Sequence, residues 1–463
     1  MGRDRVKGAV QKIAGKIGKH KVATSRETLI CYAYDATNIR VLPDAVAFPE
    51  TTEDVRAIVG QCSDAGLPVI PRGAGTGFAG GTVPLKGGMV VSTERLNRIL
   101  DIDPDLRTAT VQPGVVNSSL QKEAAKVGLM FAPDPSSLDT STIGGNVAQD
   151  AGGPRAVKYG VTRDHVLGVE AVLWDGRLVS SGRPHDACRR WNPLLALFVG
   201  SEGTLGVITE IIVGLVPRPK AFATALVFFK DLEAAAAAVN TVFASGVLPA
   251  AIELMDATTM GAVRKYVDIN VPEGSGCALL IETDGWGSEA AEAMAEIEKS
   301  LEASEMVGMR SATGDEERAE LWKMRRSISP SLSLLAPHKI NEDVCVPRSR
   351  LPGLAHAVTE LARKYSLLVP TFGHAGDGNL HVNVMLDKSD ASELRRGEAF
   401  VRELFDITLA LGGTISGEHG VGITKKEFLP AQLGDLGLEL QRCIKKSFDP
   451  HLRINPDKVV TGN

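Results

Sequence analysis

Residues 71–88 read PRGAGTGFAGGTVPLKGG, and how this stretch is taken decides the fold. Gly75, Gly77 and Gly80 spell a literal GxGxxG with Asp101 downstream, the outline of a nicotinamide-binding fingerprint. That fingerprint works only when a helix opens at its last glycine and aims its N-terminus at a pyrophosphate. Here GTVPLKGG follows, with Pro84, Gly87 and Gly88, and then strand-like 89–92. No helix fits. The stretch therefore predicts a strand–loop–strand whose glycine N–H groups form an anion-holding nest.

Glycine is enriched, at 48 of 463 residues, and the excess is clustered. Two more glycine-rich segments follow the first: PDPSS (133–137) leading into TIGGNVAQDAGGPRAVKYG (142–160), and VGSEGTLGVIT (199–209). Three such loops suit a large, elongated, phosphate-bearing ligand that backbone must approach closely. Around them the pattern predicts strands at 67–71, 89–92, 108–111, 166–173 and 204–213, and a helix over 52–66 capped by Thr51 or Thr52. Pro217 and Pro219 punctuate the chain as a domain boundary. Beyond them, strand-like 224–230, 250–255, 277–283, 339–346, 367–372 and 381–386 alternate with amphipathic helical stretches such as 232–244 and 289–303. This reads as an α+β domain with helices covering a sheet. The expected organisation is 1–220, 221–412 and a C-terminal segment 413–463.

PRGAGTG, PDPSS, TIGGN and GSEGTLGVIT resemble the FAD-binding half of the vanillyl-alcohol-oxidase, or p-cresol methylhydroxylase, flavoprotein superfamily. The resemblance implies an α+β fold: a two-subdomain FAD-binding domain of that type, plus an α+β cap domain with an antiparallel sheet. It implies pyrophosphate contacts from Arg72, Gly73, Gly75, Thr76 and Gly77. Pro133, Ser136, Thr142, Gly145 and Asn146 would lie along the cofactor, with Glu202, Gly203, Ile208 and Asn455 further on. Some relatives attach the flavin through a histidine at the place of Thr76. A threonine hydroxyl cannot serve, so the implied FAD is non-covalent.

The C-terminal half carries FGHAGDGNLHVNV (372–384) and SGEHGVG (416–422), which hold His374, His381, Glu418 and His419 among nine histidines in all. Asp377-Gly378 is a turn signal that folds the first segment back on itself. Glu418 and His419 are neighbours, so in extended backbone they point apart unless the chain twists at Gly417 or Gly420. Two histidines and a carboxylate make an open metal site with room for substrate. Zinc is the first choice, and manganese or iron suit the same trio.

These segments are similar to the second half of the D-2-hydroxyacid dehydrogenase group that includes D-lactate dehydrogenase, the flavin-bearing chain of glycolate oxidase and D-2-hydroxyglutarate dehydrogenase. That resemblance implies His374, His381 and Glu418 as metal ligands and His419 as catalytic base. It implies a substrate carboxylate held by Arg325 in LWKMRRSIS (321–329), with Ser329, Lys339 and Asn383 as further contacts. Helical spacing separates Arg325 from Arg326, which is expected in solvent. If Arg325 is not functional, Glu317 or Glu320 would pair with it. Ser329 stands where larger-substrate relatives carry a threonine, and no extra cation is evident for a second carboxylate. The implied reaction is oxidation of a small D-2-hydroxy acid, D-lactate first and glycolate next, to the 2-oxo acid. The alternatives are D-2-hydroxyglutarate dehydrogenation, or a non-redox flavoenzyme of the alkyl-dihydroxyacetonephosphate synthase type. A non-catalytic FAD-binding component of a complex and a metal hydrolase are further rivals.

Bulk properties bound these readings. The net charge of -5 gives no footprint for nucleic acid. The six cysteines include no CxxC pair, which argues against a cluster or zinc ribbon and for a reducing, cytoplasmic setting. No apolar run reaches the roughly 18 residues of a membrane span. A helix over about 3–20 is expected, with Val6, Val10, Ile13 and Ile17 on one face. It should pack on its own domain; the alternative is a membrane-surface helix on the inner face of the membrane. Reduced FAD needs an acceptor that this sequence does not encode. The expectation is an iron–sulfur partner subunit, an electron-transfer flavoprotein or a quinone, in a homo-oligomer or hetero-complex.

Overall fold

Thr51 and Gly66 mark the ends of the helix Thr52–Ala65 as the sequence suggests. The Thr51 hydroxyl accepts from the Asp54 N–H at 3.1 Å, and Gly66 closes the helix at φ 67°. The computed structural model describes residues 3–182, 193–268 and 270–460; Cys188 lies outside them. The chain forms two units. The first comprises Met1–Gly152, Gly160–Arg218 and Glu418–Asn463; the second comprises Gly153–Tyr159 and Pro219–Gly417.

In the first unit, β1 (Val22–Ala23), β2 (Ala45–Ala47), β3 (Val69–Arg72) and β4 (Met89–Ser92) form one sheet, with β3 and β4 parallel. Residues 73–88 between β3 and β4 hold turns and no helix, so the GxGxxG lacks the helix that a nicotinamide fingerprint requires. The helix Arg3–Ile17 buries Ala9, Ile13 and Ile17. Ile13 and Ile17 share a core with Val55, Ile58, Val59, Val69 and Met89. The apolar face of this helix is therefore occupied by its own unit. Next come β5 (Ile99–Asp103), β6 (Thr108–Val111), β7 (Leu129–Met130), β8 (Val166–Val172), β9 (Leu178–Ser181), β10 (Val207–Gly214) and β11 (Val216–Pro217). β7 and β11 pair as a short ribbon, and the rest form an antiparallel sheet in the order β5-β6-β10-β8-β9.

The second unit is built on one antiparallel sheet of β12 (Ala221–Phe229), β13 (Ala251–Asp256), β14 (Cys277–Gly285), β15 (Met306–Ala312), β16 (His338–Cys345), β17 (Thr371–His374) and β18 (Asn379–Leu386). Its order is β15-β12-β14-β13-β17-β18-β16. β15 escapes the sequence pattern because it is an edge strand with mostly exposed side chains, so it lacks a buried stripe. The expected strand 367–372 begins later, at Thr371, after Pro370, which has no N–H to give a ladder.

Alternation divides the sheet's two faces. Gly397 of the helix Ala391–Ala410 sits against Val384 and Leu386 of β18 and Ile340 of β16, so that helix covers one face. On the other face, Leu226, Phe228, Met255, Leu280 and Phe372 pack against Leu321, Met324 and Ile328 of the helices Asp315–Arg326 and Ile328–Leu332.

Ile13 is fully buried. Ile13→Ala should therefore lower the stability of the first unit by about 2–5 kcal/mol, read as an earlier denaturant midpoint. A helix meant for a membrane surface would leave that midpoint in place.

Candidate functional site

At the start of the first glycine loop the Arg72 side chain turns inward. Arg72 donates to the Tyr34 carbonyl at 2.7 Å and to Thr82 Oγ1 at 3.0 Å. Gly75, at φ 72°, lies where a Cβ would collide with that guanidinium. Gly73 meets the second loop: a Cβ there would stand 2.5 Å from Thr142 Oγ1. Thr142 caps the helix Ile143–Gln149 by accepting from the Gly145 N–H at 3.2 Å. A cavity of about 490 Å³ opens at this junction, lined by Arg72, Gly73, Val115, Val116 and Thr142 among others. Asn146 Nδ2 and Ser141 Oγ are buried without a partner, an arrangement that a polar ligand would satisfy. The Pro133 carbonyl accepts from Asn117 Nδ2 at 3.1 Å, and Ser136 is exposed. Thr76 and Gly77 are half-buried.

The third loop is tied to both the first loop and the C-terminal segment. Glu202 is buried at φ 52°, and its carboxylate accepts from the N–H groups of Val421 and Gly422, each at 2.8 Å. Burial pushes its carboxyl up to about 7, against the pull of those two N–H groups and of Lys425 and Lys458. Asn455 Nδ2 donates to the carbonyls of Gly81 at 2.8 Å and Glu202 at 2.9 Å, so one amide joins the first and third loops. Gly203 takes φ 68°, and Ile208 is buried on β10.

His419 lies against the first loop, its ring 4.9 Å from that of Phe78 and tilted by 33°. Glu418 Oε1 and His419 Nε2 are 3.9 Å apart. The two side chains do not diverge as extended backbone would require, and the chain bends over residues 417–419.

In the second unit, the functional candidates fall on the sheet face that carries Phe372 and Met255. Asn379, His381 and Asn383 alternate along β18 and register against Cys345, Asp343 and Asn341 of β16. Asn341 Nδ2 donates to Asn383 Oδ1 at 2.6 Å. Lys339 is next on the same side of β16, and burial lowers its pKa. The ring centroids of His374 and His381 are 5.2 Å apart with the planes at 87°. Gly417, the residue bonded to Glu418, donates to the Asp343 carbonyl at 3.2 Å.

His374 Nδ1 lies 2.6 Å from Glu253 Oε1, and Arg325 Nε donates to Glu253 Oε2. Arg325 is thus buried and pairs with a strand carboxylate, not with Glu317 or Glu320 of its own helix. Its guanidinium also stands over the Phe372 ring at 5.0 Å, and its Nη2 is buried with no partner. Opposed by burial, the charges of Arg325 and His374 nevertheless hold the Glu253 carboxyl below its ordinary value. Arg326 and Ser329 are exposed. Glu253, Asn341 and Asp343 escaped the sequence reading. An available signal was the acid inside the otherwise apolar IELM of β13.

The sequence profile described as FAD binding domain matches residues 43–182, and that of FAD linked oxidases, C-terminal domain matches 218–459. Glycolate oxidase subunit GlcD of Bacillus subtilis is 40% identical over 93% of this chain and 92% of its own. A D-lactate dehydrogenase of Archaeoglobus fulgidus is 36% identical over 93% and 95%. Among solved structures, p-cresol methylhydroxylase with substrate bound superposes with a TM-score of 0.83 over 100% of this chain and 98% of its own, at 18% identity. An alkyldihydroxyacetonephosphate synthase gives 0.76 over 97% and 86%, at 19%. At these identities the two structures establish the fold.

Glu202 imposes a pH dependence on the first unit. Its carboxyl has an ordinary value of 4.5 and titrates at about 7 when folded. The native state therefore holds this proton more tightly, and the stability it contributes is complete below the unfolded value and lost as pH rises through 7. The unfolding midpoint of the wild type should fall between about pH 5 and about pH 7.5, and fall less in Glu202→Gln. Equal slopes for the two proteins would refute the assignment.

Proposed function

Because the chain belongs to the FAD-linked oxidases, we propose that it oxidises a small D-2-hydroxy acid to the 2-oxo acid, with D-lactate the first choice and glycolate the next. The observation that carries this reading is the buried Arg325, whose unpartnered Nη2 shares a sheet face with the His374–His381 pair. A guanidinium edge for a carboxylate beside imidazoles for a hydroxyl matches the two functional groups of such an acid. The names carried by the two relatives above agree with it.

The residues present fit both groups the reaction needs. The cavity at Gly73 and Thr142, with the orphaned Asn146 amide nearby in the sequence of the second loop, suits the FAD phosphates and ribityl chain. Thr76 offers no imidazole for a covalent link. By the resemblance, His374, His381 and Glu418 would hold a divalent cation, zinc first and manganese or iron next. When bound, the flavin supplies a two-electron acceptor and the cation supplies Lewis acidity at the hydroxyl.

The chain's own residues do the rest. Arg325 grips the substrate carboxylate, with Lys339 and Asn383 as further contacts. His419, held against Phe78, takes the hydroxyl proton as the hydride leaves the same carbon. Reoxidation falls to a partner, an iron–sulfur protein, an electron-transfer flavoprotein or a quinone at the inner membrane face, in a hetero-complex or homo-oligomer in the cytoplasm. No helix among the described residues is long and apolar enough to cross a membrane.

Anaerobic addition of D-lactate or glycolate should bleach the flavin absorbance, and the L-lactate enantiomer should not. No bleaching by any 2-hydroxy acid would sink the proposal. His419→Ala should keep its FAD and lose about 10²–10⁴-fold in turnover; near-full activity would remove His419 from the base role.

A further inference from the structure

Glu253 is wholly buried at the middle of β13, between Ile252 and Leu254, which point to the opposite face. Its two oxygens are divided between two partners: Oε1 meets His374 Nδ1 at 2.6 Å, and Oε2 accepts from Arg325 Nε. Strand register fixes the first contact, because Glu253 and His374 are directly paired across β13 and β17. Its neighbours Met255, Leu280, Met324 and Phe372 belong to an apolar core. Charged groups in such a place cost several kcal/mol each to desolvate, and an apolar substitute is commonly as stable. Fold stability alone therefore gives little reason for an acid here.

Geometry gives a better one. An ionised carboxylate only accepts, so Nδ1 of His374 must carry the ring proton, and Nε2 keeps the lone pair that a cation requires. The same carboxylate takes the Nε edge of Arg325 and leaves Nη2 as the donor for an anion. We propose that Glu253 is a positioning residue that sets the donor nitrogen of His374 and, with its other oxygen, aims Arg325 at the substrate carboxylate. This rests on the functional reading above for what the two partners bind. One rigid carboxylate thereby fixes the spacing between the hydroxyl and carboxylate subsites, a distance shared by all 2-hydroxy acids.

Gln in place of Glu253 preserves size but can accept at one atom only. Its NH2 must face either the Arg325 N–H or His374 Nδ1, where it favours the wrong tautomer. Cobalt(II) titrated into metal-free, FAD-loaded protein, followed by its visible absorbance, should bind Glu253→Gln about 10–100-fold more weakly than the wild type. Glu282→Gln is the control: Glu282 is an equally buried acid on β14, bonded to Arg318 and Trp322, and should leave cobalt affinity unchanged. Should Glu253→Gln not fold, 15N-histidine spectra of the metal-free wild type still decide, with His374 expected as the Nδ1–H tautomer. Wild-type cobalt affinity in Glu253→Gln, or an Nε2–H tautomer at His374, overturns the proposal and leaves the 2-hydroxy acid reading standing. The converse result is distinguishable: weakened cobalt binding in the variant, without bleaching of the wild type by any 2-hydroxy acid, supports the role of Glu253 at His374 and overturns the substrate.

Discussion

A strand offers a given face only every second side chain, and the second unit is organised by that constraint. On β18 the sequence NLHVNVML gives Asn379, His381 and Asn383 to one side and Leu380, Val382 and Val384 to the other. On β16, Lys339, Asn341 and Asp343 fall into step through the register with Met385, Asn383 and His381. The opposite side presents Leu380, Val382, Val384, Ile340 and Val344, with Glu342 buried among them. A one-residue slip in either strand would bury the polar set under the helix Ala391–Ala410 and turn valines toward the candidate site. The burial of the apolar face therefore enforces the register on which the chemistry depends.

The polar face carries a second consequence. Glu253 and Glu282 lie on adjacent strands, in register with Leu280 and Ala251 respectively, so they are diagonal neighbours on one face. Two like charges this close, both buried, repel and lose water together. Each is answered by its own arginine from the helix Asp315–Arg326: Arg325 for Glu253 and Arg318 for Glu282, two turns apart on one side of that helix. Trp322, between them, adds its indole N–H to Glu282 at 2.7 Å. The helix is thus pinned by two buried ion pairs as well as by Leu321 and Met324, which limits the freedom of the Arg325 guanidinium. Glu282 anchors the helix, whereas Glu253 alone of the two also touches a histidine.

What was legible in the sequence follows from how local each cause is. Helix caps, glycine clusters and runs of alternating residues are local, so Thr52–Ala65, Leu232–Ala244, β4 and β6 match their expected spans. The GxGxxG could be set aside because Pro84 and the paired Gly87 and Gly88 lie within the loop itself. Partnership is not local. Arg325 could be singled out, but its partner Glu253 lies 72 positions away and becomes visible only once the helix Asp315–Arg326 is packed on the sheet. Asn341 was hidden for the same reason, since nothing in KINEDV announces that it faces Asn383. Edge strand β15 has too little burial to leave a pattern.

The glycine excess also has a physical account beyond ligand approach. The first loop and the C-terminal segment meet backbone to backbone where the Ile423 N–H donates to the Ala79 carbonyl at 2.8 Å, and within the C-terminal segment the Val459 N–H donates to the Gly422 carbonyl at 2.8 Å. Gly422 has φ 47°, and a Cβ there would overlap Ala79; Gly80 has φ 78°, and a Cβ there would overlap Ile423. These two glycines face each other's segments, so each is required by the other's approach rather than by a ligand. Glu202 closes the arrangement by accepting from Val421 and Gly422, and Asn455 by bridging Gly81 and Glu202. His419 is two positions before that carboxylate clamp, next to a stretch in which the N–H groups of Val421, Gly422 and Ile423 all donate to protein acceptors. Its position against Phe78 therefore follows from backbone contacts made by its neighbours, and a side chain with little apolar surface of its own is held without needing to contribute to packing.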